Sequence, residues 1–505
     1  MLRLTRFPLA GALLALVLLG ACQARANDAI AFPTSLPWYN VSRPLTLNDL
    51  KGRAVLLDFF TPGCINCVHM LPVEHELKKR FGQQLVIVGV DSPKFSASAT
   101  TQGLVDFIHR YQLHHPIILD SDSTLWDAYN VPAWPTLILI GPNGKVLDRY
   151  IGEQDVDTLA GPIKAALADA PPVSKLAPLP MLVMAGPGGN LSVPNGLAVS
   201  KDEVAIADTG HNRIILANDQ AKVEAVIGTG CAGDADGGYG KAEFNHPHGL
   251  TFHDGSLYVA DTDNQRIRRI DLAKKTVSTV AGTGKREFVG GGDYHSMKAN
   301  LNSPWDVAAA GNMLYIAMAG NHQIWRLDLK TRRIAPWAGS GREGLRDGPI
   351  GSAEFAQPSG LSLHDGTLYD VDPESSSVRE ISLEKERVHT LVGQGLFNFG
   401  DRDGPADKAL LQHTEGVAWS NGSLYLADTF NNALRRLDLS TNKVTTIAKG
   451  LQQPAAVARL NDKALLVAEV DGNRIVKVNV DTGRVTDWKL QGLKAPATKA
   501  CHTRH

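Results

Sequence analysis

The chain has 505 residues, 51 Lys and Arg against 52 Asp and Glu, 43% hydrophobic content and 20% charged content. This balance excludes a disordered chain, and five cysteines are too few for a disulfide-dense scaffold. Near-neutral charge without long Lys/Arg runs argues against a nucleic-acid binder held by phosphate contacts.

At the N-terminus, Arg3 and Arg6 precede an apolar run from Leu9 to Leu19. The run is shorter than the roughly 20 residues a membrane span needs, and it reads as a secretory signal over residues 1–26. Leu19-Gly20-Ala21-Cys22 has the form of a bacterial lipobox, which would make Cys22 a lipidation site, whereas Ala24-Arg25-Ala26 fits ordinary small-x-small cleavage. Either site leads to the expectation of an exported, periplasmic protein, lipid-anchored if Cys22 is used.

Residues 38–170 alternate strand-like and helical runs, the pattern of an α/β layer fold. Ala54–Phe60, Leu85–Val90 and Thr136–Ile140 read as buried strands. Asn66–Phe81 and Gly103–Tyr111 read as helices, Pro116–Leu119 as short and extended, and Asn143-Gly144 as a turn into Val146–Tyr150. The proline-rich residues 171–180 read as a stiff linker.

From 181 to 490 the chain repeats itself. Leu257-Tyr-Val-Ala-Asp-Thr262, Leu314-Tyr-Ile-Ala-Met-Ala319, Leu424-Tyr-Leu-Ala-Asp-Thr429 and Val204-Ala-Ile-Ala-Asp-Thr209 are copies of one strand, and Leu368–Pro373 and Leu465–Val470 are degenerate copies. Their aligned positions Asp208, Asp261, Met318, Asp372, Asp428 and Glu469 differ by 53, 57, 54, 56 and 41 residues. Each unit opens on a Pro-x-Gly-like step. Six units of about four strands predict a six-bladed β-propeller. Either Met181–Ala185 or Arg484–Leu490 is expected to close the ring. Residues 491–505, with His502 and His505, read as a tail.

The strongest chemical signal is Cys64-Ile-Asn-Cys67, placed between a buried strand and a helix. Cys64 falls at the helix N-terminus, where free amides favour a thiolate, and Cys67 lies one turn on. Half of a zinc site and a purely structural disulfide are the competing readings. No second C-x-x-C exists, and Cys231 and Cys501 are isolated, free to pair with each other in an oxidising compartment.

The phrase Val55-Leu-Leu-Asp-Phe-Phe-Thr-Pro-Gly-Cys-Ile-Asn-Cys67 resembles the active-site strand and loop of the thioredoxin superfamily, and Trp134-Pro135-Thr136 resembles its cis-proline loop. The resemblance implies Cys64 as the exposed nucleophile, Cys67 as the resolving thiol and Asp58 as the proton acceptor. It also implies a cis Pro135 over the sulfurs and a Trp134 backbone that pairs with an extended substrate. Gly63 departs from the usual tryptophan, and Ile-Asn from the usual Gly-Pro, so the direction of electron flow stays open. Thr61-x-x-Cys64 half-matches a peroxiredoxin signature whose upstream proline is replaced by Leu57. With the propeller added, and with Asp58-Phe-Phe-Thr…Cys-Val-His-Met-Leu-Pro72, residues 40–490 resemble the NHL-repeat-containing protein 2 family, here in an exported bacterial version.

Weaker signals are weighed likewise. His69 could modulate the thiolate or be a plain helix-surface residue. Asp208, Asp261 and Asp428 precede turns and are expected to bond their own loops. Asn195, His248, Trp305, Ser359 and Glu415 are expected to ring the propeller mouth, a concave place for binding. His246 and His248 with Glu415 could hold a metal, but no metal site or cofactor is assigned. The expected function is an extracytoplasmic thiol–disulfide oxidoreductase acting on disulfide- or thiol-bearing client proteins, with a membrane-bound thiol donor and a client-recruiting propeller. The alternatives are a propeller scaffold with a redox-sensing appendage, and a propeller lactonase or lyase. The redox assignment requires the two sulfurs to face each other and to face solvent.

Overall fold

The structure is a computed structural model that describes residues 28–184, 186, 188–288, 292–496 and 501. The segment expected to be a secretory signal, with Cys22, and the histidines His502 and His505 lie outside the described residues. Among the described residues, no helix is long and apolar enough to cross a membrane.

The N-terminal domain is built on six strands: β1 (Trp38–Tyr39), β2 (Ala54–Phe60), β3 (Leu85–Asp91), β4 (Ile117–Leu119), β5 (Thr136–Ile140) and β6 (Val146–Ile151), in the order β1-β4-β3-β2-β5-β6. β2, β3 and β5 are buried along their whole length, which is why they read as unbroken apolar runs. β2 pairs parallel to β3 and antiparallel to β5. The helices are α1 (Leu47–Leu50), α2 (Ile65–Val68), α3 (Met70–Phe81), α4 (Thr101–Tyr111), α5 (Thr124–Ala128) and α6 (Val156–Ala166). The single helix expected over Asn66–Phe81 is therefore two, α2 and α3, with His69 in helical conformation at the junction. α3 turns Met70, Val73 and Leu77 onto the sheet, in one cluster with Leu56, Ile87 and Leu137.

The C-terminal region is a ring of six antiparallel sheets, as the repeats predict. Their innermost strands are Pro194–Ser200, Pro247–His253, Pro304–Ala310, Gly360–His364, Gly416–Ser420 and Pro454–Asn461, each neighbouring the next, the last against the first. Blades 2 to 5 gain a two-residue outermost strand from the segment before them. The last blade takes its fourth strand, Val485–Asp487, from the C-terminal candidate. Met181 is not a blade strand as one expectation had it. It bridges Val41, and the Leu182 amide donates to the Asn40 carbonyl, so the linker is tied to the N-terminal domain. Beyond the last blade, Gln491 bridges Lys222 on the first blade's outer edge, and Trp488 packs into the core between blades 6 and 1. Cys501 is disulfide-bonded to Cys231, 270 residues away.

The blade aspartates bond their own loops and something the sequence reading missed. Asp261 accepts from the Asn245 amide and from the fully buried Arg268, which also meets Asp236. Asp428 repeats this with the Gln412 amide, Arg435 and Asp403, and Arg379 with Asp347 and Asp372 follows the same plan. A buried guanidinium needs such pairing, because an unpaired charge there is strongly destabilising.

Candidate functional site: a thiol pair roofed by the propeller

Strand β2 delivers the thiol loop to the end of the sheet. Cys64 caps α2, and the Cys67 amide donates to Cys64 Sγ at 3.3 Å. No disulfide joins the two cysteines, and Cys67 Sγ stands 2.7 Å from Cys64 Sγ. The Trp134–Pro135 peptide is cis, Pro135 is buried, and the Trp134 ring packs on the cluster that holds both cysteines. The indole donates to the Ser92 carbonyl.

The sulfurs face each other but not solvent. Cys64 is 6% exposed and Cys67 2%, so the expected exposed nucleophile is corrected to a covered one, and the stated requirement that the pair face solvent is not met in this structure. The cover is the propeller. The Ile65 amide donates to Gln357 Oε1 at 2.9 Å, and Gly63 lies against the His413 imidazole. His69 is buried, between Glu153 (2.7 Å) and Ser303 of the propeller (2.6 Å), rather than on an open helix surface. Lys94 pairs with Glu374 in a buried contact, and Arg110 reaches Gln453 and Asp471. Phe95 inserts between Phe399 and Phe430.

The mouth residues are under the same roof. Asn195, His248, Ser359 and Glu415 are buried and Trp305 half-buried, so the open concave site expected there is covered by the chain's own N-terminal domain. His246 pairs with Asp263 at 2.6 Å, His248 packs edge-on against Trp305, and Glu415 meets His413 and Arg110. These groups do not converge on one point, and among the described residues no three His, Cys, Asp or Glu side chains form a metal cage. Two cavities remain at the interface. One of about 400 Å³ runs along Gly63, Ile65, Arg110 and His413. A larger one of about 900 Å³ lies between α3, the segment His114–Pro116, and the propeller residues Asn195, His248 and Trp305.

Burial sets the proton chemistry. Desolvation, reinforced by the hydrogen bond to Cys64 and the negative charges of Cys64 and Asp58, holds the Cys67 thiol well above its usual range. Desolvation pushes Asp58 up to about 7, partly offset by a hydrogen bond from Glu74. Glu74, in turn, is raised well above a usual carboxyl by burial and by the neighbouring Asp58. Asp58 is therefore suited to accept a proton near neutrality. Sequence reasoning missed Glu74, Gln357 and His413. The readable signal for Glu74 was an acid on the apolar face of α3, between Val73 and Leu77.

Fold and thiol pair together define a class: a thioredoxin-like domain joined to a six-bladed NHL-type propeller. Residues 52–146 match the thioredoxin-like family model, and residues 244–270 match an NHL repeat. The human NHL repeat-containing protein 2 is 36% identical over 457 residues, covering 83% of this chain and 63% of its own length. The Arabidopsis thaliana chloroplastic protein SUPPRESSOR OF QUENCHING 1 is 34% identical over 94% of this chain and 49% of its own length. The chain belongs among the homologues of NHL repeat-containing protein 2, and it spans about half to two thirds of the length of these relatives. The thiol–disulfide oxidoreductase ResA of Bacillus anthracis is 31% identical over 122 residues, 24% of this chain and 68% of ResA.

Proposed function

We propose that the protein is an extracytoplasmic thiol–disulfide oxidoreductase whose propeller covers the Cys64/Cys67 pair and controls client access to it. The observation that carries this reading is the 2.7 Å approach of the two facing sulfurs beside the cis Trp134–Pro135 peptide. The Cys64 thiolate attacks a client disulfide, forming a mixed disulfide and expelling one client thiolate. Cys67 gives its proton to Asp58, attacks Cys64 Sγ, and expels the second thiolate. The client is reduced by two electrons and the pair becomes a disulfide. A thiol donor, membrane-borne in an oxidising compartment, restores the dithiol. Running backwards, the same steps oxidise a client. The Cys231–Cys501 bond supports export, because such bonds persist in oxidising compartments.

A client disulfide reaches Cys64 when the interface opens, and Trp134 and Pro135 then become its docking edge. The test is insulin reduction and glutathione exchange by the wild type, Cys64→Ser and Cys67→Ser. Activity confined to the wild type is expected; a wild type no faster than either variant would sink the reading.

The burial of both sulfurs favours a second reading, in which the pair is an internal redox sensor and the propeller a protein-binding scaffold. Partner capture that ignores both cysteines but is lost on changing Trp305 or His248 would select it.

A further inference from the structure

Glu74 is an acid where the fold has no obvious use for one. It lies on the sheet-facing side of α3, 2% exposed, among Met70, Val73 and Leu77. Neither of its carboxyl oxygens meets a conventional donor, and Asp58 Oδ1 is equally without one. Such groups are destabilising when left dry and unpaired. Two buried neighbouring carboxyl groups resolve this by sharing a proton, and burial with the neighbouring Asp58 carboxyl raises Glu74 in that sense.

The pair also has a way out. His115 Nδ1 stands 3.9 Å from Glu74 Oε2, beyond direct hydrogen-bond distance, and burial lowers it to about 4, so it carries a proton only in passing. It packs over Gly89 of β3, where a β-carbon would come within 3.2 Å of its Nε2 and 3.0 Å of Phe60. Glu74 and His115 both line the 900 Å³ interface cavity, whereas Asp58, Cys64 and Cys67 do not. The charged and titratable groups facing this path are Asp58 and Cys67 from the thiol side, and His114 and Lys78 from the cavity side.

We propose that Glu74 is a positioning residue that shares the proton Asp58 takes from Cys67 and passes it, by way of His115, to the interface cavity. The path gives the buried resolving thiol a route for its proton that does not run past the client held on Cys64. This rests on the oxidoreductase reading, in which closing the Cys64–Cys67 bond expels a client thiolate and frees one proton from Cys67. That proton enters the Asp58–Glu74 pair and leaves through His115.

Two measurements test it. Carbon-13 titration of the carboxyl groups in the reduced protein is expected to show Asp58 and Glu74 in two coupled steps, and Asp58 in Glu74→Gln as one uncoupled step. The second measurement follows thionitrobenzoate release on reaction with Ellman's reagent. Its first-order phase is the attack of Cys67 on the Cys64 adduct. Glu74→Gln is expected to slow that phase at least tenfold between pH 6 and 7 and to displace its pH midpoint, while Glu74→Asp stays within threefold of the wild type. An Asp58 titration and a pH profile both unchanged in Glu74→Gln would overturn the proposal. So would equal slowing by Glu74→Gln and Glu74→Asp at every pH, the mark of a packing role. A wild type inert toward insulin would overturn the oxidoreductase reading instead, and the carboxyl titration would still decide whether Glu74 shares the proton of Asp58.

Discussion

Gly63 lies directly beneath His413: a β-carbon at residue 63 would stand 2.5 Å from the imidazole Cε1. The backbone there has φ +93°, so a side chain is disfavoured by conformation as well as by space. His413 cannot yield easily, because it is stacked on Phe430 at 4.3 Å and packed edge-on against Phe95. The residue before the first cysteine is thus shaped by the propeller, which explains the departure from the tryptophan of thioredoxins.

Gly63→Ala is expected to push the domains apart at the thiol loop. Iodoacetamide labelling of Cys64 should accelerate about tenfold, equivalent to about 1.4 kcal/mol of lost docking. Adding His413→Ala should restore slow labelling, by making room. Fast labelling that persists in the double variant would mean that Gly63 serves loop conformation alone.

Beside the inserted Phe95, buried polar contacts cross the interface. Lys94 and Glu374 are each about 5% exposed at the side chain, and Lys94 also donates to the Glu374 carbonyl oxygen at 2.8 Å. Removing one partner of a buried pair costs about 3–5 kcal/mol, because the other charge is stranded. Lys94→Ala should therefore favour the undocked form, read as a larger radius of gyration by small-angle scattering and faster Cys64 labelling. Lys94→Met, apolar and of similar volume, should behave the same way, since Glu374 is stranded in both. Unchanged scattering in both variants would show that the pair does not hold the roof.

Acid should open the interface. Desolvation lowers His248, which faces Asp263, His246, Glu415 and Arg110, to about 4. Desolvation does the same to His322, which faces Glu374, Glu153 and His69. A histidine whose folded pKa lies below its unfolded value near 6.5 destabilises the closed form once it must be protonated. Through these two histidines the docked state loses stability as pH falls from about 6.5 toward 4, whereas Asp106, raised to about 7 by burial and by Asp471, works in the opposite sense. Cys64 labelling, corrected for thiolate fraction with the free N-terminal domain or a small-thiol standard, should rise across that window. His248→Gln with His322→Gln should flatten the rise.

Much of each domain was legible from local pattern. Buried strands such as Leu85–Asp91 read as apolar runs, and the blades announced themselves because each draws its strands from neighbouring sequence. The two halves of the site lie far apart in the chain: Ile65 meets Gln357 across 292 residues and His69 meets Ser303 across 234. No periodicity encodes such contacts, so the roof over the thiols was invisible. Gly63 and Glu74 were local irregularities, one a missing side chain and the other a charge on an apolar face, but neither points to the propeller residues that cover the thiols. The buried arginines escaped for a different reason, since Arg268 and Arg435 sit at exposed-looking positions of polar strands and are buried only by the neighbouring segments of Asp236 and Asp403.

The ring closure yields the last expectation. Five of the six joints between blades connect sheets that follow each other directly in the chain, but blade 6 meets blade 1 with no shared strand. That joint relies on Trp488 in the shared core, on Gln491 against Lys222, and on the Cys231–Cys501 bond beyond them. A cross-link over 270 residues removes much chain entropy from the unfolded state, and such bonds typically contribute about 2–4 kcal/mol. Cys501→Ser should lower the thermal midpoint of the propeller by several degrees. It should leave Cys64 labelling at 25 °C unchanged, because the bond lies outside the roofed site. Hydrogen exchange should then show the largest gain in opening at Lys222–Ile227 and Trp488–Leu493, the two faces of the joint. Uniform exchange across all six blades would mean that the ring yields as one unit and that the disulfide acts on the unfolded chain alone.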